Sequence, residues 1–174
     1  VQYAYDAAGN RITATEDGIG ATYTTNALDQ YTAAGPLVFT YDAAGNLAGA
    51  TGSGGGSSYT YDDEGRLIAA TTPAGTFAYE YDVLGQRAAV VRNGQRTEYL
   101  VDPQGLGEVV AEYGAGGLTA RYVHGQGLVG RVDGGGAAAY YELDALGSVA
   151  GLSGAGGALL NQYSYLPFGQ IVGA

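Results

Sequence analysis

The strongest constraint on this chain's fold is a six-residue pattern, Tyr-Asp-x-x-Gly-polar, that returns along its length. It stands as Tyr5-Asp6-Ala7-Ala8-Gly9-Asn10, Tyr41-Asp42-Ala43-Ala44-Gly45-Asn46, Tyr61-Asp62-Asp63-Glu64-Gly65-Arg66 and Tyr81-Asp82-Val83-Leu84-Gly85-Gln86. Eroded copies follow at Val101-Asp102-Pro103-Gln104-Gly105, at Leu143-Asp144-Ala145-Leu146-Gly147-Ser148 and at Tyr165-Leu166-Pro167-Phe168-Gly169. The starts at 41, 61, 81 and 101 hold a period of 20. The wider gaps contain further traces, Thr25-Asn26-Ala27-Leu28-Asp29 and Val123-His124-Gly125. A fixed period of this length marks a repeat architecture, in which each repeat leans on its neighbours for stability.

Each repeat reads as strand, turn, strand, turn. An aromatic residue commonly precedes the motif by two positions, as at Tyr3, Phe39, Tyr59, Tyr79, Tyr99, Tyr141 and Tyr163. Residues i and i+2 of a strand share a face, so each repeat offers a pair of rings on one side. In Asp-x-x-Gly the carboxylate accepts backbone hydrogen bonds from residues just ahead, and glycine takes the positive φ that closes the turn. Short return strands follow, such as Arg66-Leu67-Ile68-Ala69-Ala70, and then a second turn such as Pro73-Ala74-Gly75 or Asn93-Gly94. The Asn-Gly step between two strand-like runs predicts a type I′ hairpin. No segment combines helical periodicity with caps. The expected fold is all-β, an antiparallel meander of hairpins in a single array over 1–174, with repeats starting near 3, 23, 39, 59, 79, 99, 121, 141 and 163.

Composition agrees. Glycine, at 32 residues, has no three-residue period, which excludes collagen. The 46% apolar content excludes a disordered linker. The net charge of −10, with seven arginines and no lysine, disfavours nucleic acid and anionic membranes as partners. No apolar run reaches the ~18 residues of a membrane-spanning helix. With neither an initiating Met nor a signal sequence, the chain is expected to be cut from something longer.

The motif spacing resembles the YD repeat of RHS proteins, a family that includes bacterial polymorphic toxins, insecticidal toxin complexes and animal teneurins. Tyr23-Thr24-Thr25-Asn26-Ala27-Leu28-Asp29-Gln30-Tyr31 is similar to a recurrent family variant. Tyr140-Tyr141-Glu142-Leu143-Asp144-Ala145-Leu146-Gly147-Ser148-Val149 with Gln162-Tyr163-Ser164-Tyr165-Leu166-Pro167-Phe168-Gly169 resembles the stretch just before the RHS-associated core. The resemblance implies a spiral sheet closing as a hollow shell around a passenger polypeptide, and a secreted or cell-surface location. Its partners are then the remaining repeats and core of the parent shell and the enclosed polypeptide. The family's self-cleaving core is expected beyond Ala174, and Leu166-Pro167 stands where Asp-Pro is usual.

Catalytic readings find little to build on. His124 is the single histidine, so any Ser-His-Asp triad would have to use it, and a strand or turn role is the simpler expectation. Gly125-Gln126-Gly127-Leu128-Val129-Gly130 has the dinucleotide spacing but lacks a following helix. Gly52-Ser53-Gly54-Gly55-Gly56-Ser57-Ser58 reads as a flexible loop. Asp62-Asp63-Glu64 lacks calcium-loop spacing and reads as a solvated turn. No cofactor or metal site is expected, and Tyr5, Asp6, Gly9, Tyr41, Asp42, Gly45, Tyr61, Asp62, Gly65, Tyr81, Asp82, Gly85, Asp102, Gly105, Asp144 and Gly147 are read as structural. The alternative is a surface recognition module that binds glycan or protein through tyrosine-rich faces. Unpaired terminal strands also predict that the isolated chain either self-associates edge to edge or stands within a larger assembly.

Overall fold

A computed structural model describes residues 1–16, 18–102 and 107–173. The chain divides into two compact lobes, 1–79 with 91–94, and 80–90 with 95–174. The first nine strands are β1 (Gln2–Tyr5), β2 (Arg11–Glu16), β3 (Ile19–Thr25), β4 (Tyr31–Ala34), β5 (Leu37–Tyr41), β6 (Leu47–Gly52), β7 (Gly55–Tyr61), β8 (Leu67–Thr72) and β9 (Gly75–Tyr81). Then come β10 (Arg87–Arg92), β11 (Gln95–Val101), β12 (Val109–Gly114), β13 (Gly117–His124), β14 (Leu128–Asp133), β15 (Ala138–Leu143), β16 (Val149–Gly154) and β17 (Leu159–Gln162). A last hairpin joins β18 (Ser164–Tyr165) to β19 (Ile171–Gly173). Every described element is a strand, so the chain is the all-β meander its sequence implies.

Within the first lobe each strand pairs antiparallel with its chain neighbour from β1 onward. The second lobe repeats the scheme from β11 to β17. A register shift recurs at the motif position: between Ala4 and Tyr5, Thr40 and Tyr41, Thr60 and Tyr61, Leu100 and Val101, Val123 and His124, and Glu142 and Leu143. Such bulges follow from turns that end in a left-handed residue, and they increase the local twist.

Side chains alternate between a half-buried and an exposed face, as in β9, where Phe77, Tyr79 and Tyr81 are half-buried and Thr76, Ala78 and Glu80 are exposed. The fully buried core among the described residues is small: Ala70, Ala89, Ala111 and Ala120. Ala70 shows why these are alanines. Its register partners are Tyr59 on one side and Phe77 on the other, so two ring-bearing neighbours flank one methyl group. On the exposed face Arg96 bridges Glu80, at 2.8 Å, and Glu98.

Gly52–Ser58 is not the loop its composition suggests. Ser53-Gly54 forms a tight turn, and Gly52 pairs with Gly55, Ala50 with Ser57 and Gly49 with Ser58. The pairing is imposed by the neighbouring strands, and glycine and serine can occupy a ladder when both partner strands are present. Asn93 and Gly94 have φ of 50° and 82°, both positive as a type I′ turn demands.

Candidate functional site: the repeated turn and its tyrosine face

Five motif turns share one hydrogen-bond plan. Asp6 Oδ1 accepts from Ala8 N at 3.0 Å and Asn10 N at 2.7 Å. Asp42 repeats this with Ala44 and Asn46, Asp62 with Glu64 and Arg66, and Asp82 with Leu84 and Gln86, all within 2.8–3.1 Å. Asp144 does the same with Leu146 and Ser148. The backbone closes each turn twice: in the Asp62 turn, Gly65 N donates to Asp62 O and Asp62 N to Arg66 O, both at 3.0 Å. Gly9, Gly45, Gly65, Gly85 and Gly147 take φ between 77° and 90°. Asp102 N donates to Glu108 O, whereas Gly105 lies outside the described residues.

Two turns of this geometry carry other signatures. In the trace at Asn26, the amide oxygen accepts from Leu28 N and Gln30 N, and Asp29 takes the left-handed place of glycine at φ 57°. Asp133 accepts from Gly135 N and Ala137 N at 2.9 Å each and caps the β14–β15 turn. Asp133-Gly134-Gly135-Gly136 carries the Asp-x-x-Gly spacing in the sequence but lacks the preceding tyrosine of the motif. In the β18–β19 turn Leu166 keeps the backbone bonds but brings no side-chain acceptor.

The Asp62 carboxylate also meets Arg66 Nε at 2.7 Å, and Arg66 reaches Glu64 at 2.9 Å, so two of the three carboxylates in the densest acidic run share one arginine within their own turn. Donation from the Asn10 backbone N–H, joined by the Asn10 amide and the N–H groups of Ala8 and Gly9, outweighs desolvation and lowers the Asp6 pKa. The Asn46 amide and backbone lower Asp42 likewise. At Asp62, desolvation is outweighed by the bonds and charge of Arg66. Carboxylates with depressed folded pKa values stabilise the fold fully above the ordinary aspartate value of 3.8 and lose that contribution as pH falls below it. Thermal melting followed from pH 6 downward should show Tm level to about pH 5 and falling steeply below about pH 4. A Tm that rises on acidification contradicts this turn chemistry.

A second regularity links consecutive repeats. Tyr41 Oη donates to Tyr31 O at 2.7 Å, Tyr61 Oη to Leu47 O at 3.1 Å and Tyr165 Oη to Val149 O at 2.7 Å. Each acceptor is the first residue of a return strand in an earlier repeat. His124 occupies the same place, with Nε2 2.9 Å from Val109 O and Nδ1 3.2 Å from Glu108. The histidine therefore stands in for a motif tyrosine, with both ring nitrogens engaged. Tyr41→Phe should cost about 0.5–1.5 kcal/mol, since it removes one such link and little packing. Urea unfolding of the two proteins side by side measures it, and equal stability would show that the hydroxyl links carry nothing.

The half-buried face carries rings and arginines together. Tyr23 and Tyr31 meet edge to face at 5.6 Å, and Phe77 and Tyr79 stack at 6.5 Å. Arg11 lies 4.3 Å from the Tyr23 ring centroid and 5.6 Å from that of Tyr3; Arg87 covers Tyr99, and Arg92 covers Phe77. In the second lobe an open concavity of about 690 Å³ is lined by Arg87, Tyr99, Glu112, Tyr122 and His124. Tyr122 Oη donates to Glu112 at 2.9 Å, and burial followed by that bond raises the phenol's pKa. Among the described residues no three His, Cys, Asp or Glu side chains gather to hold a metal. Leu128–Asp133, after the Gly-x-Gly-x-x-Gly spacing, is a strand, and so supplies no helix N-terminus for a dinucleotide phosphate.

A meander built from one turn repeated, with tyrosines tying repeat to repeat, is the architecture of a YD-repeat array. The chain belongs to the Teneurin YD-shell family, which it matches over residues 1–173. It is 31% identical over 178 aligned residues to the tRNA3(Ser)-specific nuclease WapA of Bacillus spizizenii, an alignment covering 98% of this chain and 8% of that protein. Crystal structures of TcdB2-TccC3-TEV and TcdB2-TccC3 are similar over 96% and 97% of this chain and 12% and 13% of theirs, each 13% identical, with TM-scores of 0.45 and 0.43. Membership of the family gives the chain a shell-type structural role.

Proposed function

We propose that this chain is a wall segment of a YD-repeat shell that encloses a passenger polypeptide, and that it has no catalytic role of its own. The carrying observation is the recurrence of one turn and one inter-repeat tyrosine link along the sequence, which supports a structural reading of the motif's Tyr, Asp and Gly positions. The exception supports the rule, since His124 makes the tyrosine's backbone contact. A closed wall also removes the strand edges that otherwise recruit foreign chains. In this reading the partners are further repeats of the same polypeptide and the enclosed segment, and the shell acts outside the cell or at its surface.

Limited proteolysis of the full-length polypeptide carrying these repeats tests the proposal. Segments downstream of the array should resist protease until the array is unfolded, and should then be cut at once. His124→Ala should leave any activity of the full-length protein unchanged. Downstream segments cut as fast in the folded protein as in urea would overturn the enclosure. Loss of activity in a folded His124→Ala protein would overturn the absence of chemistry.

A further inference from the structure

Succinimide formation begins when a backbone nitrogen attacks the side-chain carbonyl carbon of the preceding Asn or Asp. Proximity makes the closure fast, and a following glycine leaves the nitrogen uncrowded and its backbone free to turn. Three such steps occur in the sequence: Asp17-Gly18, Asn93-Gly94 and Asp133-Gly134. Asp17 lies outside the described residues; the other two steps sit in turns, with Gly94 and Gly134 both exposed. The structure treats these two differently. At Asp133-Gly134 the attacking nitrogen is occupied, since Gly134 N donates to Thr119 O at 2.9 Å. Asp133 Oδ1 is held in turn by Gly135 N and Ala137 N. The main chain cannot pivot there either, because Gly134 is pressed against the backbone of Leu118 and Thr119.

Asn93-Gly94 lacks these restraints. Among the described residues no acceptor takes the Gly94 N–H, and nothing lies within 4 Å of a Cβ built on Gly94, so that peptide plane can rotate. The Asn93 carboxamide is meanwhile fixed, with Thr76 N donating to its Oδ1 at 2.9 Å. That N–H points at the oxygen on which negative charge grows when a nucleophile adds to Cγ. The other asparagines precede Arg11, Ala27, Leu47 and Gln162, whose side chains crowd the attacking nitrogen. We propose that Asn93 is a site of spontaneous deamidation in the folded chain, and that Asp133 is closed to the same ring chemistry. The Gly94 nitrogen bonds to Asn93 Cγ, the carboxamide C–N bond breaks, and ammonia leaves with the proton from Gly94 N. Water then opens the ring at either carbonyl, giving an aspartyl or an isoaspartyl residue with one more negative charge. The aspartyl product keeps an oxygen for Thr76 N. The isoaspartyl product adds a carbon to the main chain, which a two-residue turn cannot absorb. It therefore breaks the 2.9 Å bond from Asn93 N to Thr76 O, and the turn comes free of the neighbouring repeat. The inference does not depend on what the wall encloses.

Peptide mass spectrometry of the 174-residue chain, aged at mildly alkaline pH both folded and in urea, tests this. Enzymatic methylation of isoaspartyl groups locates the isomerised positions. The unfolded sample gives each step its intrinsic rate, so the ratio of the two rates measures what folding does. Folding should slow isomerisation at Asp133 at least about tenfold more than deamidation at Asn93, because Asp133 reacts only through local opening. In the folded chain, conversion at Asn93 should run ahead of that at Asn10, Asn26, Asn46 and Asn161. The isoaspartyl form, isolated by chromatography, should melt below the parent. Equal slowing at the two steps, or Asn93 intact in the folded chain while it converts in urea, would overturn the site. An isoaspartyl form that melts with the parent would overturn the loosening of the turn.

Discussion

Gly134→Ala is expected to destabilise the second lobe by about 1–3 kcal/mol, at the upper end of that range, as an overpacking substitution that the backbone cannot absorb. A Cβ on Gly134 would stand 2.4 Å from the carbonyl oxygen of Leu118 and 3.6 Å from Thr119 Cα. The obstacle is main chain, held in place because Gly134 N itself donates to Thr119 O at 2.9 Å. No rotamer relieves such a contact, so the β13–β14 ladder must shift or the turn must open. The neighbouring Gly135→Ala separates space from composition: its Cβ would meet only the Asp133 carboxylate, at 3.3 Å, a side-chain contact that a shift of a few tenths of an ångström relieves without breaking the cap. Chemical denaturation should therefore rank Gly134→Ala well below Gly135→Ala. Equal stabilities would show that the close approach of β13 and this turn is wrong.

Gly65→Val is the second large effect, and its cause is different. Gly65 holds φ of 77°, and a Cβ there would meet nothing nearer than Asn46 Oδ1 at 4.0 Å. The cost is conformational, about 1–3 kcal/mol for a β-branched residue forced into the left-handed region. Gly65→Asn should cost clearly less, because Asp29 already holds φ of 57° at the equivalent place in the Asn26 turn. Thermal melts of the pair should show Val far below Asn. Matching melts would mean that the turn does not need a left-handed residue, and the shared geometry of the motif turns would fail with it.

These variants also show how much of the fold was legible. The Asp-x-x-Gly turns could be read because their chemistry is local: carboxylate, turn and positive φ all lie within a few residues. The paired rings could be read because strand periodicity alone places Tyr59 with Tyr61 and Tyr79 with Tyr81 on one face. The Gly52–Ser58 segment could not, since its strand character comes from pairing with β5–β6 and β8 and not from its own side chains. The tyrosine links were equally hidden. Tyr61 donates to the carbonyl of Leu47, and a backbone acceptor leaves no mark on the sequence. His124 illustrates the same limit: its ring takes a tyrosine's position beside Val109 O, a backbone acceptor that the sequence does not mark. The core alanines follow from geometry as well, since only the register sets Ala70 between Tyr59 and Phe77.

In the shell proposed above, the half-buried ring face of each lobe is the one that looks toward the enclosed passenger. Nitration by tetranitromethane, with the modified tyrosines mapped by peptide mass spectrometry, tests it most directly. Tyr113 and Tyr140 are exposed and alternate with the ring face along their strands, whereas Tyr59, Tyr61, Tyr99, Tyr122 and Tyr141 lie on that face and are half-buried. In the isolated chain both groups should react. In the folded full-length polypeptide Tyr113 and Tyr140 should still react, while the five ring-face tyrosines should be protected until the shell is unfolded. Rapid nitration of Tyr61, Tyr99 and Tyr141 in the folded full-length polypeptide would contradict the wall reading and leave the ring face as an outward recognition surface.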